Sequence, residues 1–142
     1  MRKGTVRKVV VASRNVTTVA GNNWATQDGV GSNAAFDEPT GLAITPDATT
    51  AYVADIRGNR IRQVDIASGT VTTIAGSNVI TNLVSGSNAG NTDGIGTATQ
   101  FDRPSGLAMS QGGFLYMTDS ANNRVRRYEV ATRLVSTLPA LL

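Results

Sequence analysis

The chain has 142 residues, of which 40% are hydrophobic and 16% charged, with a net charge of +3. This length suits one domain with its own core, and the composition is too apolar for a disordered chain. The sequence has no Cys and no His. It therefore excludes disulfides, thiolate nucleophiles, Ser–His–Asp triads and zinc sites built from His or Cys. No apolar run approaches the roughly 18 residues of a membrane helix, so we predict no transmembrane segment.

The residue types favour strands. Val, Ile and Thr together number 40, whereas Glu and Lys number four. Branched side chains lose rotamer freedom in helices and fit pleated sheets, so the sequence predicts an all-β fold.

Positive charge is concentrated in residues 1–21, which carry five cations and no acid. These cations are Arg2, Lys3, Arg7, Lys8 and Arg14. A basic segment of this kind can contact nucleic acid or another anionic surface. The alternative, which we favour, is the solvated face of a strand.

Short strands separated by turn residues follow one another along the chain. In chain order we predict strands at residues 5–12 and 16–20, then at 41–45, 50–55, 60–66 and 71–75, and finally at 106–110, 114–119, 124–130 and 134–138. Pro46-Asp47, Gly58-Asn59 and Ser68-Gly69 are typical of the turns between them. Residues 77–92 are rich in Ser, Asn and Gly and read as a long inserted loop.

The chain repeats itself. Residues 36–43 return as 101–108, and residues 28–31 as 93–96, in both cases 65 positions later. Residues 59–62 return as 123–126 and residues 71–74 as 135–138, 64 positions later. A partial copy lies at the front, where residues 6–9 and 16–21 match 61–64 and 71–76. Repetition of a four-stranded unit selects a propeller over a sandwich or a barrel.

The predicted fold is therefore all-β, made of four-stranded antiparallel blades of a β-propeller that is incomplete in one chain. We place a half blade, consisting of strands three and four, at residues 1–21. A blade with its leading loop follows at 22–76, then a long inter-blade loop with the insertion at 77–105, and a second full blade at 106–142. Propellers close with about four to eight blades, so two and a half blades leave faces to be covered by a protein partner or by further copies.

The units resemble NHL repeats, a β-propeller family in which an Asp and a short turn precede Asn-Arg-Ile or Asn-Arg-Val. The matching residues are Asp55 with Asn59-Arg60-Ile61 and Asp119 with Asn123-Arg124-Val125. The Pro-x-Gly-Leu-Ala and Val-Thr-Thr-Ile-Ala-Gly segments are also similar to the family. The front copy departs from the pattern, with Gly4-Thr5-Val6 where Asn-Arg-Ile is expected. The resemblance implies the fold and leaves the activity open.

The recurring residues are interpreted as structural. We expect Asp55 and Asp119 to bind N–H groups of the following turn, as in an Asx-turn, and Asn59 and Asn123 to adopt a left-handed conformation. We expect Arg60 and Arg124 to pair with an acid on the same or the next blade. The remaining signature residues, predicted to anchor the blade junctions and the crowded innermost strand, are Phe36, Phe101, Pro39, Pro104, Gly41 and Gly106.

Candidate interaction residues lie in loops as well as in the basic segment. Trp24, the only Trp, is in a polar loop, where it is either an exposed contact anchor or a cap over a blade edge. The inserted loop carries Val79, Ile80, Leu83 and Val84, which pack either on a partner or on their own blade. Residues 29–34 fit a loose Gly-x-Gly-x-x-Ala pattern, but no helix follows, so we predict no nucleotide cofactor. Asp28 and Asp93 carry oxygen ligands of the kind that calcium takes, but no dense acidic loop surrounds them, so we predict no metal ligand, and we predict no catalytic residue.

These observations favour a non-enzymatic protein–protein interaction or scaffold module built from NHL-type repeats. One alternative is a single-stranded RNA binder, a role that the resemblance implies. Its contacts would come from the basic segment, although that segment lacks the interleaved aromatics of stacking platforms. The other alternative is a fragment of a propeller enzyme whose catalytic residues lie outside this chain, since the enzymes that resemble this family generally use metal-bound His.

Overall fold

The computed structural model describes residues 4–78 and 88–139. These residues form twelve strands and three short 3-10 turns. The strands are β1 (Val6–Val10), β2 (Asn15–Ala20), β3 (Gly29–Val30), β4 (Pro39–Ile44), β5 (Thr50–Asp55), β6 (Arg60–Asp65), β7 (Thr70–Ala75), β8 (Gly94–Ile95), β9 (Pro104–Met109), β10 (Phe114–Asp119), β11 (Arg124–Glu129) and β12 (Leu134–Thr137). The 3-10 turns are Gly31–Asn33, Gly96–Ala98 and Ser120–Asn122.

The strands form one hairpin and two blades. The N-terminal hairpin is the antiparallel pair β1–β2. Blade A has the order β3-β7-β6-β5-β4, and blade B has the order β8-β12-β11-β10-β9. The predicted all-β fold of antiparallel blades, incomplete in this chain, is confirmed. The structure adds a two-residue strand to the outer edge of each blade, too short to produce the alternating pattern that predicts strands.

The hairpin reproduces the outer half of blade A. Across β1–β2, Val6 faces Ala20 and Arg7 faces Thr18, with a bulge between the two pairs. Across β6–β7, the residues 55 positions later pair in the same register and with the same bulge. The hairpin therefore has the geometry of strands three and four of a blade, as the partial sequence repeat predicted.

Two hydrophobic clusters join the three units. One lies between the hairpin and blade A and includes Val6, Ala20, Val53 and Val64. The other lies between blades A and B and consists of residues from both blades: Ala43, Tyr52, Ala54, Ile61, Ala75, Phe101, Leu115, Met117, Tyr128 and Val135. Blade A is therefore apolar on both faces: on strand β6, Ile61 belongs to one cluster and Val64 to the other. Each fully buried aliphatic side chain contributes about 1.5–3 kcal/mol to such a core.

No helix within residues 4–78 and 88–139 has the length and apolar character needed to cross a membrane.

Candidate functional site

Each blade contains a completely buried arginine, and in blade A it is Arg62. Its side chain is 0% exposed. Its Nη1 donates to Asp55 Oδ2 and to the carbonyl oxygen of Ala35, both at 3.0 Å. Its Nη2 donates to Asp28 Oδ1 and to the carbonyl oxygen of Gln27, both at 2.7 Å. The guanidinium thus ties the leading loop of blade A to the second and third strands of the same blade.

Arg126 repeats this arrangement in blade B. It is also 0% exposed, and its Nη1 donates to Asp119 Oδ2 at 2.7 Å. Its Nη2 donates to Asp93 Oδ1 at 2.7 Å and to the carbonyl oxygen of Thr92 at 3.0 Å. The guanidinium lies over the ring of Phe101, 5.1 Å from its centroid. Arg62 stands 5.2 Å from the ring centroid of Phe36 in the same way.

The two strand-ending aspartates do not cap their own turns, so the Asx-turn prediction is wrong. Asp55 Oδ1 accepts the backbone N–H of Asp37 at 2.6 Å, and Asp119 Oδ1 accepts that of Asp102 at 2.7 Å. Asp55 faces Pro39 across β4–β5, which points its carboxylate towards the segment before the first strand. Burial raises the pKa of Asp55 to about 6, against the lowering effect of Arg62.

The partly exposed aspartates behave differently. Desolvation opposes ionisation of Asp28, but hydrogen bonds from Thr73 and Arg62 outweigh it and lower the pKa of Asp28. Asp93 has the equivalent contacts with Thr137 and Arg126, and its pKa is lowered for the same reason. Each carboxylate is thus held in its charged form beside a buried cation.

The expected ion pairs of Arg60 and Arg124 are not found, and this prediction is wrong within the described ranges. Arg60 Nη1 lies 3.5 Å from the carbonyl oxygen of Thr26, and Arg124 Nη1 lies 3.3 Å from that of Asn91. In blade A the nearby carboxylates are already bound by Arg62, two residues further along the strand. The sequence does contain a pattern that points to the buried arginines, because Asp55 and Arg62 recur together as Asp119 and Arg126.

Asn59 and Asn123 share a backbone conformation but differ in surroundings. Both are left-handed, with φ of 51° and 53°, as predicted. Asn59 is buried, and its Oδ1 accepts the backbone N–H of Arg103 from the segment leading into blade B, at 2.8 Å. Asn123 is exposed, and its side chain makes no hydrogen bond within the described residues. Asn59 therefore binds the backbone that leads into the following blade, whereas Asn123 makes no equivalent contact among the described residues.

Phe36 and Phe101 lie at the junctions between units, and both are 0% exposed. Phe36 belongs to the cluster that contains Val6 and Ala20 of the hairpin. Phe101 belongs to the cluster that contains the equivalent pair of blade A, which is Ile61 and Ala75. Each ring thus packs on the outer two strands of the preceding unit.

Tight backbone packing explains one of the signature glycines. Pro39 and Pro104 begin the innermost strands β4 and β9. A Cβ at Gly41 would collide with the carbonyl oxygen of Ser105 on the neighbouring blade. At Gly106 the nearest atom to such a Cβ is Thr118 Oγ1 of the same blade, at 3.1 Å. Crowding of the innermost strand therefore appears where a second blade is packed against it.

The predicted interaction residues fall into two groups. Arg7, Lys8 and Arg14 are exposed on the hairpin, and Trp24 is 44% exposed. The others lie outside the described residues: Arg2, Lys3, Val79, Ile80, Leu83 and Val84. No cluster of three or more acidic, His or Cys side chains suited to a metal ion occurs in the part of the chain that the structure describes.

Comparison with known proteins supports the repeat assignment. Residues 101–128 match the family model of the NHL repeat. Protein SUPPRESSOR OF QUENCHING 1, chloroplastic, of Arabidopsis thaliana is 31% identical over 105 residues, which cover 72% of this chain and 10% of that protein. NHL repeat-containing protein 2 of Homo sapiens is 29% identical over 140 residues, which cover 98% of this chain and 18% of that protein. The chain thus spans between a tenth and a fifth of these curated relatives.

A solved structure gives the same architecture. A protein of unknown function from Bacteroides thetaiotaomicron VPI-5482 matches with a TM-score of 0.72 at 24% identity. The match covers 93% of this chain and 30% of that one. At this identity the likeness establishes the fold alone. The family-model match marks residues 101–128 as an NHL repeat, and the fold of the chain is that of part of a β-propeller.

Proposed function

We propose that this chain is a non-enzymatic protein–protein interaction module, a partial NHL-type propeller that works as part of a larger propeller or multi-chain assembly. One observation carries the proposal. The outer face of blade B, which points away from blade A, is apolar at most positions equivalent to the face of blade A that blade B covers, with Thr118 in place of Ala54. A surface with the composition of a blade interface is adapted to association.

Equivalent positions on the two faces differ in exposure. Ile61 on blade A is 0% exposed, whereas Val125, 64 positions later, is 44% exposed. Asn59 is 6% exposed and bound to the next blade, whereas Asn123 is open to solvent. The difference comes from the neighbour and not from the residue types, which remain apolar and amide at these positions.

The exposed face also has a hollow that can hold a side chain. A hollow of about 770 Å³ is lined by residues that include Asn123, Val125, Leu138 and Pro139. Val125 and Pro139 occupy the positions of Ile61 and Ala75, which share a cluster with Phe101. The hollow therefore suits an aromatic ring presented by a further blade-like unit, with Asn123 as the acceptor for its backbone.

Sedimentation velocity of the full chain tests the proposal. We expect species heavier than 14.8 kDa at micromolar concentrations, because exposed blade faces and strand edges pair with one another in the absence of a partner. Val125→Arg should shift the distribution towards the monomer. Gln111→Arg, which adds the same charge in an exposed turn, should leave it unchanged. A cooperatively melting monomer at every concentration contradicts the proposal.

The RNA-binding alternative has its own measurement. Three cations of the basic segment, Arg7, Lys8 and Arg14, are exposed on the hairpin. Filter binding of single-stranded RNA over a range of salt concentrations reports whether they neutralise phosphates, since such binding weakens steeply with salt. We expect no salt-dependent affinity; tight binding at low salt would favour the RNA function over association.

A further inference from the structure

A pocket lies between the outer strands of the two blades. Its volume is about 670 Å³, and small-molecule sites measure about 300–1,000 Å³. Blade A contributes residues of β6 and β7, and blade B contributes residues of β8, β11 and the 3-10 turn that follows β8. We call it the inter-blade pocket and define it by the polar residues Gln63, Thr72, Thr97, Tyr128 and Arg133. None of them lines the hollow on the outer face of blade B.

Tyr128 is the buried member of this set. It is 3% exposed, and its ring belongs to the cluster between the blades. The hydroxyl makes no hydrogen bond within residues 4–78 and 88–139, yet it keeps contact with the surface. The accessible part of Tyr128 is therefore its polar end, which opens into the inter-blade pocket. Burial raises the pKa of Tyr128 against the lowering effect of Arg133, so the hydroxyl is protonated at neutral pH and can donate.

The uncharged polar groups around Tyr128 also have no partner in the described chain. Gln63 and Thr72 pair across β6–β7, which puts their side chains on the same face of blade A. Thr97 belongs to the 3-10 turn of blade B. Neither the Gln63 amide nor the two threonine hydroxyls bind another described residue. Donors and acceptors that converge on a concave site in this way are available to a ligand with hydrogen-bonding groups of its own.

Arg133 supplies the charge of the pocket. It is exposed at the turn between β11 and β12, and its guanidinium forms no ion pair or hydrogen bond within the described residues. No Asp or Glu of the described chain lines the pocket. The paired N–H donors of a guanidinium match a carboxylate, which carries one negative charge, whereas a phosphate monoester carries about two. Charge and geometry therefore favour a carboxylate.

The hydroxyl and the guanidinium belong to this junction and not to the repeat. Tyr128 and Arg133 occupy the positions of Val64 and Gly69, 64 residues earlier. At the junction between the hairpin and blade A, those two positions offer no hydroxyl and no cation. A Cβ at Gly69 would lie 2.6 Å from the carbonyl oxygen of Val19, so a side chain there would collide with the hairpin. Residues that hold the fold, such as the buried arginines, recur in both blades, whereas this polar pair does not.

We propose that the inter-blade pocket binds a small carboxylate with several hydroxyl groups, which is the chemical class of the sugar acids. Arg133 pairs with the carboxylate, and the Tyr128 hydroxyl and the Gln63 amide bind hydroxyl groups of the ligand. Ile95, which is 61% exposed, and Val130, which is 37% exposed, pack on its carbon skeleton. The inference goes beyond the proposed association function and does not depend on it.

Three sugars that differ only at one carbon are the probes: glucuronate, glucose and glucose 6-phosphate. The full-length, isotope-labelled chain is titrated with each and followed by NMR. We expect glucuronate to shift the backbone amides of Gly96, Thr97 and Arg133 saturably at millimolar concentrations. It should bind at least about tenfold more tightly than glucose, because hydrogen bonds to charged groups are the stronger ones.

The outcomes that contradict the inference are distinct. No saturable shift of these amides by glucuronate overturns it. Equal binding of glucose and glucuronate overturns the role of the carboxylate. Tighter binding of glucose 6-phosphate than of glucuronate makes the pocket a phosphate site and overturns the assigned ligand class.

Matched variants separate ligand contacts from effects on the fold. Arg133→Gln should weaken glucuronate binding at least about tenfold and change glucose binding by less than about twofold. Arg14→Gln is the control, because Arg14 has the same left-handed turn position on the hairpin, with φ of 56° against 61°, and is also exposed. Tyr128→Phe removes a hydroxyl that no described residue binds, so the unfolding temperature should stay the same while both sugars bind about fivefold more weakly. Equal effects of Arg133→Gln and Arg14→Gln, or a Tyr128→Phe variant with full affinity, would contradict the assigned contacts.

Discussion

Replacing Asp119 by Ala tests whether the buried pair of Asp119 with Arg126 stabilises blade B and its leading loop. The carboxylate accepts Arg126 Nη1 at 2.7 Å, the Asp102 N–H at 2.7 Å and Asn122 Nδ2 at 2.9 Å. The Ala variant leaves Arg126 completely buried with only the half-exposed Asp93 as its counter-ion. Removing one partner of a buried pair costs about 3–5 kcal/mol. Since domains are stable by about 5–15 kcal/mol, we expect a loss of about a fifth or more of the free energy of unfolding.

Urea unfolding followed by circular dichroism, at one protein concentration, measures this loss. Arg57→Ala is the matched control, because it removes the exposed pair of Arg57 with Glu38, 2.8 Å apart, and should cost less than about 1 kcal/mol. The double variant Asp119→Leu with Arg126→Met should be less damaging than Asp119→Ala, since it leaves no unpaired buried charge. An Asp119→Ala loss no larger than that of Arg57→Ala would refute the assigned role.

Three further predictions follow from paired positions and from charge. Because the pKa of Asp28 is lowered in the folded chain, its stabilisation is complete above the unfolded value of about 3.9 and is lost as the pH falls through the folded value. The difference in unfolding free energy between wild type and Asp28→Asn should therefore shrink below about pH 4 in urea titrations; a constant difference would contradict it. Gly41→Ala should cost about 1–3 kcal/mol by thermal unfolding, whereas Gly106→Ala should cost less than about 1 kcal/mol, and equal losses would argue against crowding between blades. Asn59→Gly keeps the left-handed turn but removes the acceptor of the Arg103 N–H, so it should cost about 0.5–1.5 kcal/mol in urea against little for Asn123→Gly, and the reverse order would be inconsistent with this contact.

The strands and their grouping into blades could be predicted from the sequence, because both signals are local or repeated. Residues 71–75 are mostly β-branched and lie between turn residues, and the segment recurs at 135–138. The left-handed conformations of Asn59 and Asn123 also follow from residue type and turn position.

The contacts at the junctions could not be predicted in the same way. Burial of Arg62 depends on Asp28 and on carbonyl oxygens more than 25 positions earlier in the chain, and residue-type preferences place arginine at the surface. The partner of Asp55 is likewise set by the register of β4 against β5, which brings the backbone of Asp37 to its carboxylate. The two-residue strands β3 and β8 carry no periodic signal at all.

The most direct test of the central claim, that the outer face of blade B is an association surface, is thiol labelling at position 125. The chain has no Cys, so Val125→Cys introduces a single reactive group on that face. The account predicts that labelling slows as the protein concentration rises and that a Gln111→Cys control labels at a constant rate. A labelling rate at position 125 that stays as fast as the control at every concentration would contradict it.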